Sequence, residues 1–94
     1  MSYYQNVVVE TYHGRYTAET GGIHYRPLPG QGLATDMNVE WSRSVRKKYP
    51  VGTRFLICAK VTNKENGNDF LYCHYNAKYE VIRDEDLGMY IKNV

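Results

Sequence analysis

The residues of this 94-residue chain that could do covalent or metal chemistry are three histidines, two cysteines and ten acids. Their spacing argues against both. His13, His24 and His74 fall into no HxH or HxxxH pattern, which is how one strand or one helical turn delivers two imidazoles to a metal. Cys58 and Cys73 form no CxxC pair, so neither a zinc site nor a disulfide scaffold is indicated, and two reduced thiols in or near a sheet are expected. Cys73 and His74 are sequence neighbours, so in a strand their side chains point apart. Cys58 and His74 could meet across a hairpin, but nothing nearby supplies the orienting group and oxyanion site that a nucleophile needs. Glu10, Glu19 and Glu80 are scattered. The loop Pro27 to Gly32 has glycines at 30 and 32 but no Lys-Ser/Thr helix start, so it is no phosphate loop. No catalytic residue, metal ligand or cofactor is assigned, and the balance lies against an enzyme.

Binding chemistry is better supported. Seven basic residues, Arg43, Arg46, Lys47, Lys48, Arg54, Lys60 and Lys64, occupy the stretch from Trp41 to Lys64, which has no acid. The rest of the chain holds five basic and ten acidic residues, so a net charge of +2 conceals a strong asymmetry. A clustered basic face beside aromatic rings suits a nucleic-acid backbone or an acidic protein. Arg43, Arg46, Lys47, Lys48 and Arg54 are the residues that would carry it. The same residues also describe a solvated helix face and lysine-guarded strand edges.

Aromatic composition gives the second lead: ten tyrosines against one tryptophan and two phenylalanines. Tyrosine suits strands, where the ring packs and the hydroxyl reaches water. Ten exceed what so small a core can hide, and clustered exposed rings mark interfaces. Tyr3, Tyr4, Tyr12, Tyr16, Tyr25, Tyr72 and Tyr90 are expected to be partly exposed. Tyr12, Tyr16, Tyr25, Phe70, Tyr72 and His74 are the candidate interface residues. Tyr49, Tyr75 and Tyr79 are assigned to the core or its edge.

These side chains need a scaffold, and its elements can be read. One domain spanning 1–94 is expected, since a chain this small builds one modest core. No apolar run approaches the ~18 residues of a membrane helix. The N-terminus has no basic region followed by an apolar one, so a cytoplasmic location is expected. Gln5 to Tyr12, with Val7-Val8-Val9, reads as a strand. Arg15 to Ala18 reads as a short return strand, and Ile23 to Arg26 alternates as a half-buried strand should. Asp36 to Lys48 reads as an amphipathic helix: Met37, Trp41, Val45 and Tyr49 are spaced by four, with Arg43, Arg46 and Lys47 opposite. A strand reading through Met37, Val39 and Trp41 competes, and fails where Arg43 would point inward.

Beyond Gly52 the sequence is strongly β. Phe55, Ile57, Ala59 and Val61 alternate with more polar residues, and Asp69 to Asn76 returns. A three-residue loop Glu65-Asn66-Gly67 pairs Lys64 with Asn68 and sets Leu71, Cys73, Tyr75 and Ala77 inward. It also puts Cys58 opposite His74 and leaves the two cysteines on opposite faces, against a disulfide. Tyr79 to Ile82 is a further strand, Arg83 to Gly88 a compact acidic or 3₁₀ turn, and Met89 to Lys92 a last short strand.

Trp41, Tyr49-Pro50-Val51-Gly52-Thr53, Phe55, Ala59-Lys60-Val61-Thr62, Phe70-Leu71-Tyr72 and Tyr79-Glu80-Val81-Ile82 together resemble the pattern of small SH3-like barrel proteins of unassigned function, some carried on bacterial mobile gene cassettes. The resemblance covers residues 41–94, and none of its matched positions is a catalytic one. It implies an α+β fold: a small SH3-like antiparallel barrel of five to six strands with one amphipathic helix. The function expected is a non-enzymatic binding module, assembled as a homo-oligomer. A nucleic-acid-binding protein using the basic 43–64 face is the alternative. A small enzyme with its site at a subunit interface is the third.

Overall fold

The computed structural model describes residues 3–18, 20–63 and 67–91. Its organising element is the long strand β4 (Arg54–Asn63), and three other strands bond to it. The long N-terminal strand β1 (Gln5–His13) runs antiparallel along one edge of β4, with Val7 against Ile57 and Val9 against Phe55. The other edge of β4 is shared. Strand β6 (Tyr79–Ile82) takes Arg54 to Ile57, and β5 (Asp69–Tyr72) takes Lys60 to Asn63. Beyond these, β2 (Ile23–Pro27) pairs with β1, and the three-residue β3 (Asn38–Glu40) lies parallel to β5. The order is therefore β2-β1-β4-β5-β3, with β6 branching from β4. The end strands β2 and β3 curl back towards each other without bonding, so the sheet is a nearly closed barrel with one open seam. The fold is the small, mostly β, SH3-like α+β barrel of five to six strands that the sequence leads one to expect, except that it is not wholly antiparallel, since β3 joins β5 in parallel.

The main core fills the barrel. Phe55, Ile57, Ala59, Val7, Val9, Tyr25, Trp41, Val45, Leu71 and Cys73 form it, and Met37, Val39, Tyr49 and Tyr79 pack against its rim. The alternation of β4 places Phe55, Ile57 and Ala59 inward while Cys58 faces out. Burial of a side chain such as Phe55 or Ile57 contributes about 1.5–3 kcal/mol. A second cluster lies on the opposite face of the sheet, where Val8 meets Leu28, Ile82, Leu87 and Ile91. All three consecutive valines are thereby buried, which explains a run with no polar alternation.

Several expectations need correction. The helix over Asp36 to Lys48 splits in two: Asn38–Glu40 is strand β3, and only Arg43–Lys48 is helical (α1). Both periodicities present in the sequence are used in turn. Parallel bonding to β5 captures the first half, and the Cys73 N–H donates to the Glu40 carbonyl at 2.9 Å. Ser42 then caps α1, its hydroxyl accepting the Val45 N–H at 3.2 Å. Trp41, Val45, Met37 and Tyr49 still all face the core. Arg15 to Ala18 forms no strand, and β2 pairs directly with β1. The β4–β5 register is the expected one, with Lys60 opposite Tyr72 and Val61 opposite Leu71. β5 stops at Tyr72, however, so that pairing never reaches Cys58 and His74. Tyr75 consequently lies at the surface, 73% exposed, instead of in the core. The acidic turn is a 3₁₀ helix, Asp84–Met89, and the strand expected from Met89 does not form. Ile91 instead anchors this end in the second cluster. Glu19, Lys92 and the hairpin residues Lys64, Glu65 and Asn66 lie outside the described residues.

Candidate binding cleft at the barrel seam

The seam between β2 and β3 carries two adjoining clefts. One, of about 410 Å³, is lined by Thr20, Val39, Glu40, Trp41, Arg43 and Arg46. The other, of about 250 Å³, shares Thr20, Val39, Glu40 and Arg46 and adds Tyr12, His24, Tyr25 and Asn38. Local structure explains the grouping. Trp41 sits where β3 gives way to α1, so the first turn of the helix brings Arg43 and Arg46 to its side. Tyr25 reaches from β2 across the seam, and its hydroxyl donates to the Ser42 carbonyl at 2.8 Å. Burial pushes the Tyr25 phenol well above its ordinary range, so it stays a neutral donor. The indole Nε1 of Trp41 is buried and has no hydrogen-bond partner. Tyr12 and His24 stand 5.8 Å apart between ring centroids, and the Arg26 guanidinium lies 4.5 Å over the Tyr12 ring.

The basic candidates separate in space. Arg43, Lys47 and Lys48 are exposed on α1. Arg46 is not on the solvated face but buried at 8% exposure, where it lines both clefts. Arg54 is committed within the fold. Its Nε donates to Glu10 Oε2 at 3.2 Å, and its terminal nitrogen pairs with Asp84. Glu10 also holds Arg26 at 2.9 Å. Lys60 places its ammonium 5.2 Å from the Tyr4 ring centroid. Among its described residues the basic run is thus no continuous face, since Arg54 is paired with Glu10 and Asp84 and Arg46 faces a cleft.

The aromatic candidates divide likewise. Tyr25 is a core residue, 3% exposed, in edge contact with Phe55 and tilted against Trp41. The alternation Ile23-His24-Tyr25-Arg26 already carried the signal for its inward position. Tyr16 is 76% exposed. Phe70 and Tyr72 are half-buried on β5, and exposed His74 stacks on Tyr75 at 4.7 Å. Tyr49 and Tyr79 meet through their hydroxyls at 3.3 Å, and this bond raises the Tyr49 phenol. Glu40, Trp41, Val39 and Thr20 went unnoticed as cleft residues because the seam joins segments far apart in sequence.

The cysteines lie on opposite faces, Cys58 exposed and Cys73 buried. Burial pushes the Cys73 thiol up to about 11, so at neutral pH it is protonated and a poor nucleophile. Among the described residues no three of His, Cys, Asp and Glu gather as a metal would require. No helix of the described residues is long and apolar enough to cross a membrane. No protein-family model, curated protein or solved structure matches the chain.

Proposed function

We propose that this chain is a small, non-enzymatic binding module that acts in the cytoplasm as a homo-oligomer and takes an anionic ligand, an acidic protein segment, at the β2–β3 seam. One observation carries the reading: two arginines, against the single carboxylate of Glu40, line adjoining clefts with Trp41, Tyr12 and His24. Aromatic walls with a few placed charged groups are how small sites fix a ligand. Trp41 is the sole tryptophan, so its emission reports on the site directly. Titration with a hexaglutamate peptide should change that emission saturably. Arg43→Gln should weaken the response, and added salt should reduce it. An unchanged emission at low salt overturns the reading.

Nucleic-acid binding is the second reading, favoured by exposed Lys47 and Lys48 on the helix that delivers Arg43 and Arg46. A single-stranded oligonucleotide that binds where hexaglutamate does not would select it.

A further inference from the structure

Among the described residues the N-terminal half of β1 has a bare edge, and its hydrogen bonds define it. Thr11 addresses the β4 side: its N–H donates to Thr53 at 3.1 Å and its carbonyl accepts from Gly52 at 3.0 Å. Val8 addresses the opposite side, where Gln31 and Leu28 bond it. Alternation therefore turns the backbone groups of Tyr4 and Asn6 to the same side as those of Val8. β2 begins its pairing only at Val9. Among the described residues nothing bonds the N–H and carbonyl of Tyr4 and Asn6 on that edge. The run Tyr3-Tyr4-Gln5-Asn6-Val7 contains no charge, proline or glycine, the usual devices that keep sheet edges apart. Tyr3 and Tyr4 are 66% and 49% exposed beside it.

We propose that this edge is a homodimer interface, with β1 of one copy pairing antiparallel to β1 of a second copy about a two-fold axis at Gln5. The proposal rests on the oligomeric part of the reading above and names its surface. The occupant is a second copy because residues 3–7 bring no charge of their own to meet their image, the nearby Lys60 ammonium lying over the Tyr4 ring, and antiparallel pairing makes the edge self-complementary. The register follows from the cap on Val8. Among the described residues Tyr4 and Asn6 are the open pair, and they satisfy each other when Tyr4 faces Asn6 of the partner subunit. A register centred on Asn6 would set Tyr4 against Val8, whose backbone groups Gln31 and Leu28 already hold. The two barrels then share one continuous sheet.

Sedimentation equilibrium of the full chain over the micromolar range tests this, with thermal melts to verify that each variant is folded. Asn6→Pro removes a donor that the isolated fold does not use. Gln5→Lys sets two ammonium groups face to face at the axis. Each should weaken dimerisation about tenfold or more, the loss expected from a pair of hydrogen bonds at an interface. Gln5→Cys in a Cys58→Ser background should crosslink on oxidation, because a non-hydrogen-bonded pair brings Cα atoms to ~4.5 Å, within disulfide range. A wild-type chain that stays monomeric overturns both the oligomeric reading and this surface. A dimer that withstands Asn6→Pro and Gln5→Lys but is broken by Tyr75→Ala overturns this surface alone.

Discussion

The side-chain amide of Gln31 stands in for a neighbouring strand against Val8. Its Oε1 accepts the Val8 N–H at 2.7 Å, and its Nε2 donates to the Val8 carbonyl at 2.9 Å. Nε2 also reaches the Leu28 carbonyl at 2.9 Å, which ties the loop after β2 to the edge of β1. Gln31→Ala should therefore lower stability by about 1–3 kcal/mol, the cost of leaving a half-buried backbone pair unmet. Gln31→Glu can accept from Val8 but cannot donate, so its loss should shrink as the carboxyl is protonated at low pH. Urea denaturation at two pH values reads both effects, and an Ala variant as stable as wild type refutes the assignment.

Tyr25→Phe removes the hydroxyl that bridges the seam to Ser42. The ring contacts remain, so the loss should be about 1–2 kcal/mol without unfolding. Trp41 lies 5.0 Å from the Tyr25 ring centroid, so its emission should report the change. A neutral substitution would mean that the bridge is not formed in solution.

Alkaline pH should destabilise the fold through Cys73. Its folded thiol titrates near 11, above the ordinary value of 9.0, because burial disfavours the thiolate. The unfolded thiol loses its proton first. The stabilising contribution is thus complete below pH 9 and falls away as pH rises from about 9 to about 11. The slope should not exceed ~1.4 kcal/mol per pH unit for one proton. Cys73→Ala should flatten this part of the stability curve. The raised Tyr25 phenol adds a slope of the same sign above pH 10, its ordinary value, and that slope should survive in the Cys73 variant. In the folded chain only Cys58 should react rapidly with a thiol reagent at neutral pH.

Arg54→Gln should leave hexaglutamate and oligonucleotide binding unchanged, because Glu10 and Asp84 already occupy that guanidinium. It should instead loosen the 3₁₀ helix, with a loss of about 0.5–1 kcal/mol, at the upper end for exposed pairs since Glu10 is largely covered. Binding losses equal to those of Arg43→Gln would restore Arg54 to a ligand-binding face.

Ser42→Ala should cost about 1 kcal/mol, since α1 is short and its cap is one of the few contacts that start it. Proteolysis near Arg43 should quicken in parallel. Equal protease resistance in the two proteins would show that packing of Trp41 and Val45 fixes the helix without the cap.

How much of this was legible follows from the reach of each signal. The β4–β5 register was, because side-chain parity is local and a one-residue slip would turn Leu71 outward. The inward positions of Met37, Trp41, Val45 and Tyr49 were too, although one helix turned out to be a strand followed by a helix. A local pattern cannot show that β5 offers Asn38–Glu40 an edge to join. The charge of Arg54 was plain, but its engagement by Glu10 and Asp84 depends on partners far along the chain. The seam cleft was hidden for the same reason, since β2 and β3 are brought together only by the sheets between them.

The partner-sharing strand β4 also sets an order in time. Gln5 pairs with Ala59, over half the chain away, so β1 cannot be matched until the residues of β4 exist. A chain emerging N-terminus first must carry the β4-facing edge of β1 uncovered until about two-thirds of the chain is made, with the β1–β2 hairpin the strand pairing open to it meanwhile. Once β4 is complete it can take β1 along one edge, and β5 and then β6 join its other edge as they follow. Folding should therefore be slow to begin and abrupt to finish, as expected of a topology dominated by distant pairings.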